Sequence, residues 1–209
     1  MNIILMGCPG AGKGTQSAKL KETLNLKHIS TGDVLRAEMA AGTELGKQVS
    51  ALINQGNLVP DELMISMLQN IISATTQGVI LDGFPRTVAQ AQALDTMMQR
   101  LERSISAVVM IDLPQEEVVK RLSSRRMCKQ CGKPAAATTT QSTCECGGEL
   151  YVRADDAPQS VKHRLEVYRK QTLPVKEYYQ HSGKYVEING NQTPDQVFKD
   201  ICNVLEKVK

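Results

Sequence analysis

The hydrophobic positions of this chain follow two patterns, one typical of strands and one typical of helices, which alternate along the sequence. Short apolar or β-branched runs bounded by turn residues predict buried parallel strands, and they cover residues 3–6, 79–82, 107–112 and 184–188, with a shorter run at 27–30. Helical spacing predicts helices over residues 13–24, 60–74, 87–101, 114–125 and 194–208, the third and fifth with Thr87 and Thr193 as N-caps. Strands that alternate with helices predict an α/β fold with a parallel sheet flanked by helices.

Two segments interrupt this alternation. Residues 31–59 predict two short helices, and residues 127–162 follow neither period and include the low-complexity patch 135–140. We expect both segments to be insertions at the carboxyl edge of the sheet.

Composition narrows the functional classes. A net charge of +3 over 209 residues argues against a dedicated nucleic-acid binder, whose basic residues would dominate one face. The apolar opening MNIILMG is too short for a signal peptide or a membrane span, so we expect a cytoplasmic protein without a membrane partner. Thiols stay reduced in that compartment, and clustered cysteines there indicate metal ligands sooner than disulfides.

The stretch GCPGAGKGT at residues 7–15 lies between the first predicted strand and the first predicted helix. Its glycines let backbone N–H groups converge on phosphate oxygens at a helix N-terminus. Lys13 would reach the β and γ phosphates of a nucleotide. The general phosphate-loop pattern has Ser or Thr directly after the lysine, whereas this chain has Gly14 there and Thr15 one place later. The stretch predicts a P-loop NTPase-like core.

Four motifs closely resemble the adenylate kinases, in family order and at matching spacing: GKGT at 12–15, STGDVLRAEM at 30–39, ILDGFPRT at 80–87 and RADD at 153–156. The resemblance implies a P-loop core (1–29, 60–125 and 164–209), an AMP-binding helical insertion (30–59) and a zinc-bearing lid over ATP (126–163). It also implies a monomeric nucleoside monophosphate kinase that converts ATP and AMP reversibly into two ADP, with Mg²⁺, in adenine nucleotide homeostasis.

Phosphoryl transfer between nucleotides requires positioning and charge neutralisation, and a phosphate nucleophile needs no general base. By resemblance, Arg36 and Arg86 hold the AMP phosphate. The same resemblance implies that Arg125, Arg153 and Arg164 converge on the transferred group. A guanidinium suits these roles because its planar fork binds phosphate through two hydrogen bonds. For each arginine taken alone, a solvated helix face is the alternative interpretation.

Asp82 ends a predicted buried strand, just before Gly83. An Asp-Gly pair can be turn chemistry alone. A carboxylate at the carboxyl end of a central strand, however, faces the ligand crevice of an open α/β sheet. The resemblance implies that Asp82 holds water on the Mg²⁺ that accompanies ATP.

The remaining nucleotide-contacting positions follow from the resemblance. They are Gly10, Ala11, Gly12, Lys13, Gly14 and Thr15 in the Gly-rich stretch, Thr31, Asn57, Leu58, Val59, Gly83, Phe84, Pro85 and Gln90 for AMP, and Arg121 and Gln192 at the ATP base. Gln90 is expected to read the adenine edge, and Gln192 to contact the base through its backbone. Pro134 and Ala135 replace the family's usual polar-aromatic pair, so a side-chain contact to ATP is lost there.

Four of the six cysteines lie within 19 residues, as Cys128-x2-Cys131 and Cys144-x-Cys146. They resemble the four-cysteine lids of zinc-bearing adenylate kinases, which implies a structural Zn²⁺. The second pair is tighter than usual, and the usual third position falls on Thr143; we take Cys144 as the ligand. A disulfide or inert thiols are the alternatives.

Two other functions are compatible with parts of the sequence. A nucleoside monophosphate kinase for UMP or CMP would share the P-loop and the GFPR motif; the long lid, Thr31 and Gln90 favour AMP. A zinc-ribbon nucleic-acid binder would need bases to stack on aromatic side chains, and residues 128–150 contain none.

Overall fold

The computed structural model describes residues 1–135 and 141–208, so the low-complexity patch beyond Ala135 lies outside the described residues. The strands are β1 Ile3–Gly7, β2 Lys27–Ser30, β3 Val79–Asp82, β4 Ala107–Asp112, β5 Met127–Cys128, β6 Leu150–Tyr151 and β7 Tyr185–Asn189. The helices are α1 Lys13–Leu24, α2 Thr31–Ala41, α3 Glu44–Gln55, α4 Asp61–Ser73, α5 Val88–Arg100, α6 Gln115–Ser124, α7 Pro158–Val167, α8 Pro174–Gln180 and α9 Pro194–Glu206.

The central sheet is parallel throughout and has the strand order β2-β3-β1-β4-β7. β1 and β3 are buried along their whole length, as the apolar runs predict. The predicted α/β fold is therefore confirmed, and each strand and helix that was given bounds in the prediction begins and ends within two residues of them. Thr87 and Thr193 accept hydrogen bonds from the amides of Gln90 and Gln196, as N-caps do.

Helices cover both faces of the sheet, and each face has its own hydrophobic core. Ile4 and Met6 of β1 point into one core, with α4 and α5; Ile3 and Leu5 point into the other, with α1 and α9. This division follows from the strand period of two, which sends successive side chains to opposite faces.

Residues 31–59, here called the helical insertion, contain the two short helices that were predicted. Ser30 and Thr43 cap them by accepting hydrogen bonds from the amides of Asp33 and Gly46. The helices approach so closely that a Cβ on Gly46 would lie 2.2 Å from the carbonyl oxygen of Glu38. Apolar side chains then anchor the insertion in the core shared with α4 and α5; they are Leu35, Val49 and Val59.

Residues 127–151, here called the cysteine segment, follow α6. β5 and β6 form a two-stranded antiparallel sheet in which Cys128 lies opposite Leu150. Met127 and Leu150 are buried, but among the described residues they join neither core. A 3-10 turn, Ala154–Asp156, follows.

Residues 163–183, for which no strand or helix was predicted, are largely helical. α7 begins at Pro158, a favoured first helical residue, and its Val161 and Leu165 pack into the core with α1 and α9. A π-helical stretch, Tyr168–Thr172, leads to α8. The spacing of Val161, Leu165 and Tyr168 is a helical signal that the prediction missed. In the described ranges, no helix has the length and apolar character that crossing a bilayer requires.

Candidate phosphoryl-transfer site

An open cleft of about 1060 Å³ lies at the carboxyl edge of the sheet, between the helical insertion and the cysteine segment. It brings together most of the predicted site residues, which are Gly10, Ala11, Gly12, Lys13, Gly14, Thr15, Thr31, Arg36, Asn57, Leu58, Val59, Asp82, Gly83, Arg86, Gln90, Arg121, Arg125, Arg153, Arg164 and Gln192. Among the predicted nucleotide-contacting residues, Phe84 and Pro85 are the exceptions. Phe84 is buried in the core with α4 and α5, and Pro85 lines a separate cavity of about 70 Å³ behind the loop.

The Gly-rich loop joins β1 to α1 with backbone that favours glycine. Gly7 has φ 149°, and a Cβ there would lie 2.6 Å from the carbonyl oxygen of Ile111. Gly12, the residue before α1, is in the left-handed region at φ 96°. Lys13 opens the helix and donates hydrogen bonds to the carbonyl oxygens of Gly7 (2.8 Å) and Cys8 (3.0 Å). The loop thus holds the Lys13 ammonium group beside the N-terminus of α1. The ammonium charge and the helix N-terminus both favour a bound anion at this place.

Burial lowers the pKa of Lys13 from its ordinary value, and the nearby Asp82 opposes that change. Asp82 ends β3 as predicted and is 8% exposed. A Cβ on Gly14 would lie 3.7 Å from Asp82 Oδ2. Because residue 14 is glycine, no side chain separates the Asp82 carboxylate from the first turn of α1. Thr15, in that turn, also lines the cleft. Carboxylate and hydroxyl oxygens are ligands that suit Mg²⁺.

The turn that follows Asp82 holds the side chain of Arg86 in place. Arg86 Nε donates to the carbonyl oxygen of Gly83 at 2.7 Å, and Thr31 Oγ1 donates to the same oxygen at 3.0 Å. Burial, reinforced by the positive charge of Arg164, lowers the pKa of Arg86 to about 10. The guanidinium is still protonated at neutral pH, so a fixed positive charge lies at this side of the cleft.

Gln90 is 2% exposed and is held by its neighbours. Its Oε1 accepts from the amide of Arg86 at 2.7 Å, and its Nε2 donates to Asp61 Oδ1 at 2.7 Å. Thr87 Oγ1 donates to the other carboxylate oxygen of Asp61 at 2.9 Å. One amide N–H and one oxygen lone pair of Gln90 are left for a ligand. Asp61, which was not among the predicted site residues, fixes the orientation of this amide.

Carboxylates hold the arginines of the cleft in place. Arg125 donates two hydrogen bonds to Asp156, at 2.7 Å and 2.5 Å, in a fork geometry. Arg164 contacts Asp156 Oδ1 and Asp155 Oδ2, each at 3.0 Å. The RADD motif was recognised for its arginine, but its two aspartates supply these contacts.

Another carboxylate, that of Asp33, lies between two further arginines. Asp33 accepts from Arg36 at 2.5 Å and lies 3.6 Å from Arg153. Arg153 Nε is buried and has no hydrogen-bond partner among the described residues. An unpaired buried donor is costly, and a ligand oxygen in the cleft would satisfy it.

The predicted ATP-base positions lie together at the far end of the cleft. Arg121 donates to the carbonyl oxygen of Gly190 at 3.0 Å. The Gln192 side chain donates to the carbonyl oxygen of Asn189 and to Asp200, each at 2.9 Å. The side-chain amide of Gln192 is therefore engaged with the protein.

The four clustered cysteines are free thiols whose Sγ atoms all lie within 4.8 Å of one another. Cys128 and Cys146 are 3.5 Å apart, and Cys131 and Cys144 are 3.7 Å apart. Tetrahedral zinc with Zn–S bonds of about 2.3 Å requires sulfur–sulfur edges of about 3.8 Å. Amide hydrogen bonds, first that of Cys131, lower the pKa of Cys128 to about 6, so this thiol is the first of the group to become the thiolate that binds metal. At Cys131 an amide hydrogen bond is outweighed by desolvation and by the neighbouring thiols, which raise its pKa to about 11. The cluster fits Zn²⁺, and it contains Cys144.

A Gly-rich strand-to-helix loop with a half-buried lysine, facing arginines across a cleft, defines a P-loop phosphotransferase. Comparison with known proteins specifies the family. The family model described as adenylate kinase matches residues 5–184. Proteins named adenylate kinase are similar over nearly the whole chain: that of Methanothrix thermoacetophila is 45% identical with 99% of each chain covered, and that of Archaeoglobus fulgidus is 44% identical with 100% of each chain covered. The adenylate kinase of Thermodesulfovibrio yellowstonii is 42% identical over 99% of this chain and 100% of its own.

The chain belongs to the adenylate kinase family. The predicted family, fold and enzyme class, a nucleoside monophosphate kinase, are thereby confirmed.

Proposed function

We propose that this protein catalyses the reversible, Mg²⁺-dependent transfer of a phosphoryl group from ATP to AMP, giving two ADP, and so balances the adenine nucleotides. The observation that carries this proposal is the convergence of six arginines and Lys13 on one cleft, with a buried Arg153 donor left unpaired. Such an array matches the charge spread over a transferring phosphoryl group.

The chain's residues would divide the work by position. Lys13 and the loop amides would hold the phosphates of ATP, while Arg36 and Arg86 would hold the phosphate of AMP. Arg125, Arg153 and Arg164 would neutralise the charge that develops between the two nucleotides. Because carboxylates already orient Arg125 and Arg164, these guanidinium groups need little rearrangement during the reaction.

Mg²⁺ bound with ATP would neutralise part of the negative charge on the phosphates. Asp82 and Thr15 are the residues that would hold it, the carboxylate through water. No side chain of the cleft has to remove a proton, because the attacking phosphate is already anionic near neutral pH.

Base recognition supports AMP as the acceptor over UMP or CMP. Thr31, Val59 and Gln90 line the same cleft as Arg86, and Gln90 keeps one donor and one acceptor free for an adenine edge. At the ATP end, Arg121 would lie against the base and Gln192 would contact it through its backbone.

The proposed architecture has a P-loop core, the helical insertion as the AMP-binding part, and a lid at residues 126–163 that contains the cysteine segment. Zn²⁺ held by Cys128, Cys131, Cys144 and Cys146 would be structural, because four thiolates leave no open coordination position. A cytoplasmic monomer without nucleic-acid or membrane partners completes the proposal.

The test is a coupled assay with ATP as donor and AMP, UMP, CMP and GMP at equal concentration. We expect AMP to give the highest kcat/KM; faster phosphorylation of UMP or GMP would overturn the assignment. Lys13→Met should lower kcat by orders of magnitude, because its charge acts mainly in the transition state. Thr31→Ala should mainly raise the KM for AMP, and Lys184→Met, an exposed lysine outside the cleft, is the matched control.

A further inference from the structure

His28 is a histidine of the cleft to which neither the sequence analysis nor the proposed mechanism gives a role. It lies in β2, which pairs with β3, and Ser30 of the same strand lies opposite Asp82. The imidazole Nε2 is 3.3 Å from Asp82 Oδ2, and the two side chains are 20% and 10% exposed. The histidine and the carboxylate therefore meet at the rim of the cleft, with only part of each in contact with solvent.

The chemistry of the contact fixes the form of the imidazole. An ionised carboxylate offers lone pairs and no donor, so Nε2 must carry a hydrogen to bond to it. In the neutral ring, this contact selects the tautomer with hydrogen on Nε2. Among the described residues, His28 supplies the one side-chain hydrogen bond that the Asp82 carboxylate receives.

The other groups near Asp82 leave its orientation to His28. Lys13 and Arg86 act on the carboxylate through their charge, without a hydrogen bond to it. Gly14 offers no side chain, although its Cβ position would be 3.7 Å from Oδ2. A carboxylate that accepts hydrogen bonds from the water shell of a cation binds it more tightly when a neighbouring group fixes the carboxylate's rotation.

We propose that His28 is a positioning residue, which donates from Nε2 to Asp82 and orients that carboxylate toward the hydration shell of the Mg²⁺ bound with ATP. This inference rests on the proposed function. His28 itself touches neither the cation nor the phosphates in this role. Loss of such an orienting partner typically weakens metal affinity by about 10- to 100-fold.

The experiment compares four variants of the full chain, each saturated with ATP. Mn²⁺, used as a paramagnetic substitute for Mg²⁺, is titrated and its binding is followed by electron paramagnetic resonance. We expect His28→Leu to weaken Mn²⁺ binding by about 10-fold, and His28→Gln, which keeps a neutral N–H donor, to recover most of the loss. His181→Leu, at an exposed histidine outside the cleft, should bind like the parent. Asp82→Asn should bind weakly.

A second measurement needs no substitution. The protein has three histidines, so nitrogen-15 NMR can assign the ring of His28 in the parent enzyme. We expect the hydrogen on Nε2; a ring with hydrogen only on Nδ1 would overturn the proposal. Equal losses in the Leu and Gln variants, or a raised KM for AMP with unchanged Mn²⁺ binding, would also overturn it. If Asp82→Asn binds Mn²⁺ like the parent, the proposed metal site is wrong. If Asp82→Asn weakens Mn²⁺ binding and His28→Leu does not, the metal site stands and only the role proposed for His28 is wrong.

Discussion

The helical insertion and the cysteine segment face each other across the cleft, and different forces hold them. Leu35, Val49 and Val59 of the insertion enter a core that the sheet and helices share. The buried Met127 and Leu150 of the cysteine segment join neither core among the described residues. The segment has instead a group of four thiols at the spacing of a tetrahedral metal site.

This difference shows two ways to stabilise an insertion. A pair of helices can bury one face against an existing core and gain roughly 25 cal/mol for each Å² of apolar surface removed from water. A two-stranded sheet on its own is marginal in water. A metal bound by four thiolates adds stability where apolar burial is insufficient. The experiments below separate these two contributions.

The largest effect is expected from a change in the proposed zinc site. Cys144→Ser should lower zinc affinity by at least about 100-fold, because removal of a ligand costs at least as much as loss of an outer-shell partner. Hydrogen exchange should then rise across the cysteine segment and change little in the helical insertion. Metal analysis and exchange mass spectrometry measure both quantities.

Thr143→Ala is the matched control for that experiment, since Thr143 occupies the position where a third ligand is usual. This variant should keep about one zinc per chain. Zinc content that survives Cys144→Ser, or disappears with Thr143→Ala, would show that the ligand set is wrong. Kinetics at low temperature should show most of the parent activity in zinc-free protein, since Lys13 and Arg86 lie outside the segment.

Apolar truncation should give the next largest effect, and in the other insertion. Leu35→Ala removes a buried side chain from a core and should lower the free energy of unfolding by about 3 kcal/mol. The corresponding fall in Tm is roughly 6–12 °C for a chain of this size. Leu150 joins neither core among the described residues, and the proposed metal holds its segment. Leu150→Ala in zinc-loaded protein should therefore lower the free energy of unfolding by under about 1 kcal/mol. Thermal denaturation that ranks these variants in the opposite order would contradict the comparison.

Acid should affect the two insertions at different pH. Zinc binding requires thiolates, so protons compete with the metal, and we expect zinc release between about pH 7 and 5. In the helical insertion, burial tends to raise the pKa of Asp33, but hydrogen bonds and charge from Arg36 outweigh burial and lower it. A lowered pKa means that this carboxylate stabilises the fold fully above about pH 3.9, and the stabilisation is lost as pH falls through the folded-state value.

Because Asp33 is 60% exposed, its contribution should stay below about 1 kcal/mol. Asp33→Asn should therefore be slightly less stable than the parent at pH 7 and equally stable at the lowest pH. Exchange mass spectrometry over a pH series checks the order of events. Loosening of the helical insertion at a higher pH than zinc release would refute it.

A small effect, on AMP binding and not on stability, is expected where the helical insertion meets α7. His163 Nε2 lies 2.7 Å from Asn57 Oδ1, and Ser160 Oγ donates to the carbonyl oxygen of Asn54 at 3.3 Å. His163→Ala should weaken AMP binding by a few fold, in line with the net value of one hydrogen bond, about 1 kcal/mol. Calorimetric titration with AMP measures the change, and His181→Ala is the control. An unchanged dissociation constant would show that this contact does not help to hold the insertion.

Much of the fold could be predicted because local signals agree with one another. The runs that became β1 and β3 are bounded by turn residues, and Thr87 and Thr193 do cap their helices. α7 overlaps the predicted lid at 126–163, where no helix was expected, whereas α8 lies beyond that lid and was missed as well. Helical spacing at Val161 and Leu165 was present in the sequence.

The sequence alone determined the Gly-rich loop, the lysine that opens α1 and the cluster of cysteines, because each depends on residues that are close in the chain. Tertiary structure decided which carboxylate holds which arginine. Arg125 and Asp156 are 31 positions apart, and Gln90 and Asp61 are 29 apart. The side chains of such pairs meet only after helices and strands have packed, and long side chains such as arginine can reach several partners. Packing also placed Phe84 in the core and His28 beside Asp82, since both outcomes depend on how neighbouring strands align.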